Sequence, residues 1–165
     1  MASGDQRASS PDGLTGTGLT IGVVRARWNA EIVDRLAEGV TRTLAELKVT
    51  RTVEVEVPGC FEIPQGASYL AGSGQVDAVV CIGAVIRGET THYELVSEEC
   101  ARGVQQVQLS TGVPVLFGVL TVESTEQALA RSEGPSGHNV GAEAVAGAVE
   151  MARLAQKWAP FAQDR

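Results

Sequence analysis

The five consecutive residues Ala78–Ile82 are all apolar. A strand covered on one face alternates apolar and polar side chains. A run without alternation belongs to a strand buried on both faces, in the middle of a parallel sheet with helices above and below. The rest of the chain reads around that strand. Leu19–Val24 is a short β-rich run, and Val113–Val119 is another buried strand with Pro114 at its start. Val53–Val57 alternates Val with Glu, as a strand that is partly exposed or near a sheet edge does. Between the strands lie helical patterns. Glu31–Leu47 carries Ile32, Val33, Leu36, Val40, Leu44 and Leu47 at helical spacing. Ile63–Leu70 has Pro64 in its first turn, and Thr91–Val107 opens on Thr91-x-x-Glu94, the pattern of a capping box. Ser124-x-x-Gln127 starts a short helix to about Arg131. A Gly-rich turn, Gly134 to Gly141, then leads to a last helix through about Lys157. Strictly alternating β and α units predict a three-layer α/β/α domain on a four-stranded parallel sheet.

That domain spans residues 19–157. Residues 1–18 are Gly-, Ser-, Thr-, Asp- and Pro-rich without periodicity and read as a flexible N-terminal tail, and 158–165 as a C-terminal tail. The 165-residue chain is 44% apolar, enough for one full core. A net charge of −7 argues against nucleic-acid binding, which needs a basic face. No apolar run approaches the roughly 20 residues of a membrane span, and no signal-peptide pattern opens the chain. Cys60, Cys81 and Cys100 are odd in number and set in apolar surroundings, so they read as reduced thiols of a cytoplasmic protein.

In open parallel sheets, ligands bind outside the carboxyl ends of the strands. The unusual residues of this chain fall there. Arg27-Trp28-Asn29 follows the first strand, and Pro58-Gly59-Cys60-Phe61-Glu62 the second. The stretch Gly83 to Tyr93 follows the third, and Phe117 is expected near the end of the fourth. Gly88-Glu89-Thr90-Thr91-His92 is a turn entering a helix. Free N–H groups at a helix start favour an anion, phosphate above all, and an imidazole beside them can move protons near neutral pH. These residues predict a phosphate pocket with an acid–base group inside it.

At these same places the chain resembles the lumazine synthases, over about residues 19–157. The resemblance rests on Arg27-Trp28-Asn29, Val57 to Pro64, Gly83 to Tyr93, Val113 to Thr121, and Glu126-Gln127-Ala128 with Arg131. It implies a flavodoxin-like fold and a reaction without cofactor or metal. 5-Amino-6-(D-ribitylamino)uracil condenses with 3,4-dihydroxy-2-butanone 4-phosphate to 6,7-dimethyl-8-ribityllumazine, the penultimate step of riboflavin synthesis. It also implies homopentamers, in some members assembled into icosahedral shells, with each active site between neighbouring subunits.

The resemblance assigns roles residue by residue. Trp28, where the family usually has Phe, stacks on the pyrimidine. Asn29 hydrogen-bonds the substrate or caps the following helix. Glu62 and the backbone of Gly59, Cys60 and Phe61 hold the ribityl hydroxyls, while Ala84, Val85 and Ile86 present backbone groups to the pyrimidine edge. Gly88, Glu89 and Thr90 hold the phosphate, helped by Arg131 of the adjacent subunit. Phe117, also from the neighbour, covers the heterocycle unless it is plain core. His92 is the acid–base residue.

One position departs from the family pattern. Most members carry Lys, some His, before the glycine that opens the last helix. Here Val140 precedes Gly141, and His138 stands two residues earlier. A second phosphate cation is then missing or supplied by His138. The turn is also about one residue longer than in shell-forming members, which favours pentamers over shells. Two rivals share the fold: a related riboflavin synthase that uses no phosphate, and a non-catalytic flavin- or lumazine-binding or cage-forming paralogue.

Overall fold

The computed structural model describes residues 9–162. Its order is β1 (Thr20–Ala26), α1 (Ala30–Glu46), β2 (Arg51–Val57), a single 3-10 turn (Cys60–Glu62), α2 (Ile63–Gly72), β3 (Ala78–Ile86), α3 (His92–Thr111), β4 (Val115–Val122), α4 (Thr125–Leu129) and α5 (Val140–Ala162). The four strands form one parallel sheet in the order β2-β1-β3-β4. Helices cover both faces, which is the three-layer, flavodoxin-like arrangement. Even-numbered residues of β3 pack with Leu36 of α1 and Val145 and Val149 of α5. Odd-numbered ones pack with Ile63 and Ala67 of α2 and Cys100 and Val104 of α3. β3 is therefore buried on both faces, as its unbroken apolar run demands. β2 lies at an edge, where its Glu54 and Glu56 are exposed.

Four details differ from the expectation. β3 does not stop at Ile82. It runs through Gly83 to Ile86, because β4 keeps pairing with it as far as Ile86 opposite Val122. β1 pairs only as far as Ile82, so the last four residues of β3 project beyond it. β4 likewise runs on to Val122, which leaves Phe117 in its first half rather than near its end. Part of the stretch read as a tail is fastened. The Gly16 N–H donates to Leu47 O at 2.6 Å, Gly18 N–H to Thr50 Oγ1 at 2.7 Å, and Arg153 Nη2 donates to Thr15 O and Thr17 O at 2.9 and 2.8 Å. At the other end α5 continues to Ala162, past the boundary placed at 157. Among the described residues no helix is long and apolar enough to cross a membrane.

Candidate active site

The projecting end of β3 creates the site. In a parallel ladder the N–H and C=O of one residue point to the same neighbour, and successive residues alternate. Arg87 N–H donates to Val122 O at 2.9 Å, so odd residues here face β4. Ala84 and Ile86 then point to the side that β1 has vacated. Ala84 O already accepts from Asn29 Nδ2 at 2.8 Å. Asn29 sits in the left-handed region at φ 59° as the N-cap residue of α1, yet its side chain makes no cap bond. Its amide reaches across to β3 instead and ties the β1 exit to the rim of the sheet.

The β2 exit approaches from the same side. Trp28 N–H donates to Pro58 O at 3.2 Å, which extends the β1–β2 ladder past its last strand residue. The indole then lies against Gly59. A Cβ there would sit 3.2 Å from the indole Cε3, so any larger residue pushes the ring away. Glu62 folds back, and its Oε2 accepts from Gly59 N–H at 3.0 Å, fixing the 3-10 turn. Cys60 is pressed against Gly83, where a Cβ would come 2.6 Å from its Sγ. Burial pushes the Cys60 thiol up to about 12, with the Ala84 backbone N–H pulling weakly the other way. A thiol held neutral in this way is an inert wall, not a nucleophile.

These segments and the first turns of α3 enclose a cavity of about 500 Å³. Trp28 and Asn29 line it after β1, and Gly59, Cys60, Phe61 and Glu62 after β2. Ala84, Val85 and Ile86 line it from β3, and His92, Leu95 and Val96 from α3. Ten residues singled out in the sequence thus meet in one place; Leu95 and Val96 were not among them. They are ordinary apolar residues in the first turns of α3 with no local mark of a site, and they line the cavity only because that helix starts beside the strand ends. Trp28 is 67% exposed, Phe61 58% and Leu95 61%. The wall is apolar and largely open to solvent, and no described Arg or Lys lines it.

His92 is the first residue of α3, exposed, with its N–H 3.4 Å from Thr90 Oγ1. Thr91 makes no side-chain cap bond, contrary to the capping-box reading. Its partner is taken: Glu94 pairs with Arg87. Gly88, Glu89 and Thr90 form an exposed turn beside His92 but do not line the cavity, and a Cβ added at Gly88 would meet nothing within 4 Å.

Phe117, Arg131 and His138 lie elsewhere. Phe117 is 37% exposed on β4, so it is not core. Arg131 lines a second cavity, of about 480 Å³, with Thr121, Glu123, Gln127 and Val140 among its walls. Its Nη1 donates to Gln127 O at 3.0 Å. The corner is braced from below by Asn139, which is 3% exposed. Asn139 Nδ2 donates to Arg35 O and Glu133 O, both at 3.0 Å, and its Oδ1 caps α5 by accepting from Ala142 N–H at 3.1 Å. Val140 N–H then donates to Arg131 O at 3.0 Å. His138 Nε2 stands 3.3 Å from Glu143 Oε1, and His138 does not line the Arg131 cavity.

A sequence model of 6,7-dimethyl-8-ribityllumazine synthase matches residues 18–156, nearly the whole of the described domain. The match runs through both cavities and the turn between them. The chain belongs to the 6,7-dimethyl-8-ribityllumazine synthase family, the transferases that make lumazine in riboflavin biosynthesis.

Proposed function

We propose that this chain condenses 5-amino-6-(D-ribitylamino)uracil with 3,4-dihydroxy-2-butanone 4-phosphate, releasing 6,7-dimethyl-8-ribityllumazine, inorganic phosphate and water, in a site shared between two subunits of a homopentamer. The observation that carries the reading is the separation of chemistries on one chain. Among the described residues no Arg or Lys lines the cavity with the aromatic platform and the imidazole, while Arg131 lines a different cavity. A phosphorylated substrate bound at the first needs a positive charge that a neighbouring copy can bring.

In this reading the uracil stacks on Trp28, a face contact worth about 1 kcal/mol beyond area burial. Phe117 of the neighbour covers its other face. Ile86, whose backbone points to the open side of β3, meets the pyrimidine edge. The second oxygen of Glu62 and the backbone around Phe61 hold the ribityl chain. The phosphate sits over Gly88–Thr90, where the empty space above Gly88 admits a close approach and Arg131 of the neighbour completes the charge. The 5-amino group attacks the ketone, and the carbinolamine loses water to an imine. Phosphate leaves by elimination, and the ribitylamino nitrogen attacks the carbonyl this reveals and loses a second water to close the ring. Each dehydration and the elimination move a proton, and His92 is the group positioned to do it. Aligning two substrates on a fixed platform lowers the barrier further.

The test is an assay of purified protein with both substrates. Lumazine absorbance and released phosphate should rise together, and neither should appear with one substrate omitted. Binding of both substrates without turnover would sink the reading.

A further inference from the structure

The cation nearest in sequence to the Gly88–Thr90 turn is Arg87, and its guanidinium is already held on three sides. Nη1 pairs with Glu94 in the first turn of α3, Nε lies 2.7 Å from Glu123 just past β4, and Cζ stands 4.2 Å above the Tyr93 ring. Its backbone N–H meanwhile closes the ladder onto Val122 O. One residue therefore fastens the end of β3 to the start of α3 and to the exit of β4. Between these anchors hang only residues 88–91. Thr91 makes no side-chain cap bond, and the helix entry is left with the long 3.4 Å contact of His92 N–H to Thr90 Oγ1. Glu94 depends on this contact in turn. The hydrogen bond from Arg87 is the main cause holding its carboxyl below the ordinary range, and its Oε2 is buried without a partner.

We infer that Arg87 is a positioning residue for the phosphate of the butanone substrate: clamped by Glu94, Glu123 and Tyr93, it sets the backbone of Gly88–Thr90 without touching the anion. The inference rests on the site reading given above. It differs from a direct phosphate contact in a sign. If Arg87 were a ligand, removing Glu123 would free it and tighten phosphate. If Arg87 is a clamp, removing Glu123 loosens the turn and weakens phosphate, although a negative charge has gone.

The experiment compares the full-length wild type with Arg87→Met, Arg87→Lys and Glu123→Gln. It measures KM for each substrate, kcat, and direct binding of inorganic phosphate by calorimetry. Arg87→Met should raise KM for the butanone phosphate and Kd for phosphate about tenfold, the scale of a misplaced binding group, with KM for the ribitylaminouracil within about twofold. Arg87→Lys keeps the charge but loses the fork, and should fall in between, at about threefold. Glu123→Gln should weaken phosphate by about two- to threefold. Glu123 also lines the Arg131 cavity, so the Gln variant is read in an Arg131→Ala background as well: tighter phosphate that persists there, or unchanged phosphate Kd in a folded Arg87→Met, overturns the inference. If Arg87→Met does not fold, the Lys and Gln variants decide alone, and wild-type values in both overturn it. A wild type that binds phosphate but forms no lumazine defeats the reaction assigned above and leaves the clamp measurable through Kd. A wild type that binds no phosphate overturns both.

Discussion

The rim beside α3 and the corner beside α4 line cavities of similar size with opposite resources. The rim has aromatic rings, an imidazole and a projecting strand, but no described cation lines it. The corner has Arg131 and a rigid brace through Asn139, but among the described residues no imidazole and no aromatic ring lines its cavity. The difference also shows in how each is built. At the rim, side chains leave large apolar areas facing water, Trp28 and Phe61 foremost. At the corner, buried polar bonds hold the backbone, and Ala144, Val145, Ala148 and Val149 at the start of α5 turn inward. Under the proposed reaction, the uncovered aromatics of one copy would meet the Arg131 of a neighbouring copy across an interface.

The largest expected effects break the two halves apart. Arg131→Ala should raise KM for the butanone phosphate by about tenfold to a hundredfold, the loss of a charge-assisted bond worth roughly 1.5–3 kcal/mol. KM for the ribitylaminouracil should stay near wild type, because only one substrate carries the anion; an equal rise in both would make Arg131 structural. His92→Ala should instead lower kcat by about ten- to a hundredfold with folding intact, below the usual ceiling for losing an acid–base group. Unchanged turnover in the folded variant would remove His92 from the chemistry.

Mixing those two variants tests whether the halves come from different chains. After dissociation and reassembly of equal amounts, about a quarter of the interfaces should join an intact His92 to an intact Arg131. Activity should then climb from the few per cent of the parents toward about a quarter of wild type. Activity that stays at the parents' average, with mixed oligomers verified by mass, would place both halves in one chain.

Asn139→Ala should act on the corner alone. It strands two backbone carbonyls and the α5 cap, so unfolding free energy should drop by about 1–3 kcal/mol. In the protein that remains folded, KM for the phosphate substrate should rise while kcat holds. A loss of kcat without a KM change would mean that the brace serves the rim as well.

Much of the rim was legible in the sequence because its residues follow strands, and strand ends are marked by composition. Trp28–Asn29, Gly59–Glu62 and Ala84–His92 each sit where an apolar or β-rich run gives way to special residues. What escaped notice depends on partners outside the local pattern, most of them remote in sequence. Gly83 looked like a strand end, but β4 pairs straight past it. Thr91-x-x-Glu94 looked like a capping box, but Arg87 competes for the carboxylate with a full charge. Phe117 looked like the end of a strand whose true end is fixed by pairing to Ile86. The fastening of Thr15–Gly18 needs Arg153, which lies on the last helix. None of these pairings leaves a local pattern, so periodicity and capping rules had nothing to read. No local pattern sets Arg131 outside the rim cavity, and only the family resemblance implies that it serves a neighbouring subunit.

The effect furthest from turnover probes how dry the floor of the rim is. Cys60, Cys81 and Cys100 are all buried on the α2/α3 side of the sheet. Burial pushes the Cys60 and Cys100 thiols up to about 12, and raises Cys81 as well. Unfolded thiols ionise near about 8.5. Between that pH and 12 the unfolded chain has released protons that the folded chain still holds. The stabilisation is therefore fully present below about pH 8.5 and is lost as pH rises, by about 1.4 kcal/mol per pH unit for each thiol. Urea unfolding at a series of pH values from 8 upward should show this decline in the wild type. Cys60→Ala should flatten the slope by about one thiol's share. Cys60 is the informative position because it alone of the three lines the cavity. An unaltered slope would mean that water reaches its sulfur through the open mouth and lets it ionise in the folded protein. The cavity floor would then be wet, and the contrast with the sealed corner around Asn139 would grow sharper than the static structure makes it.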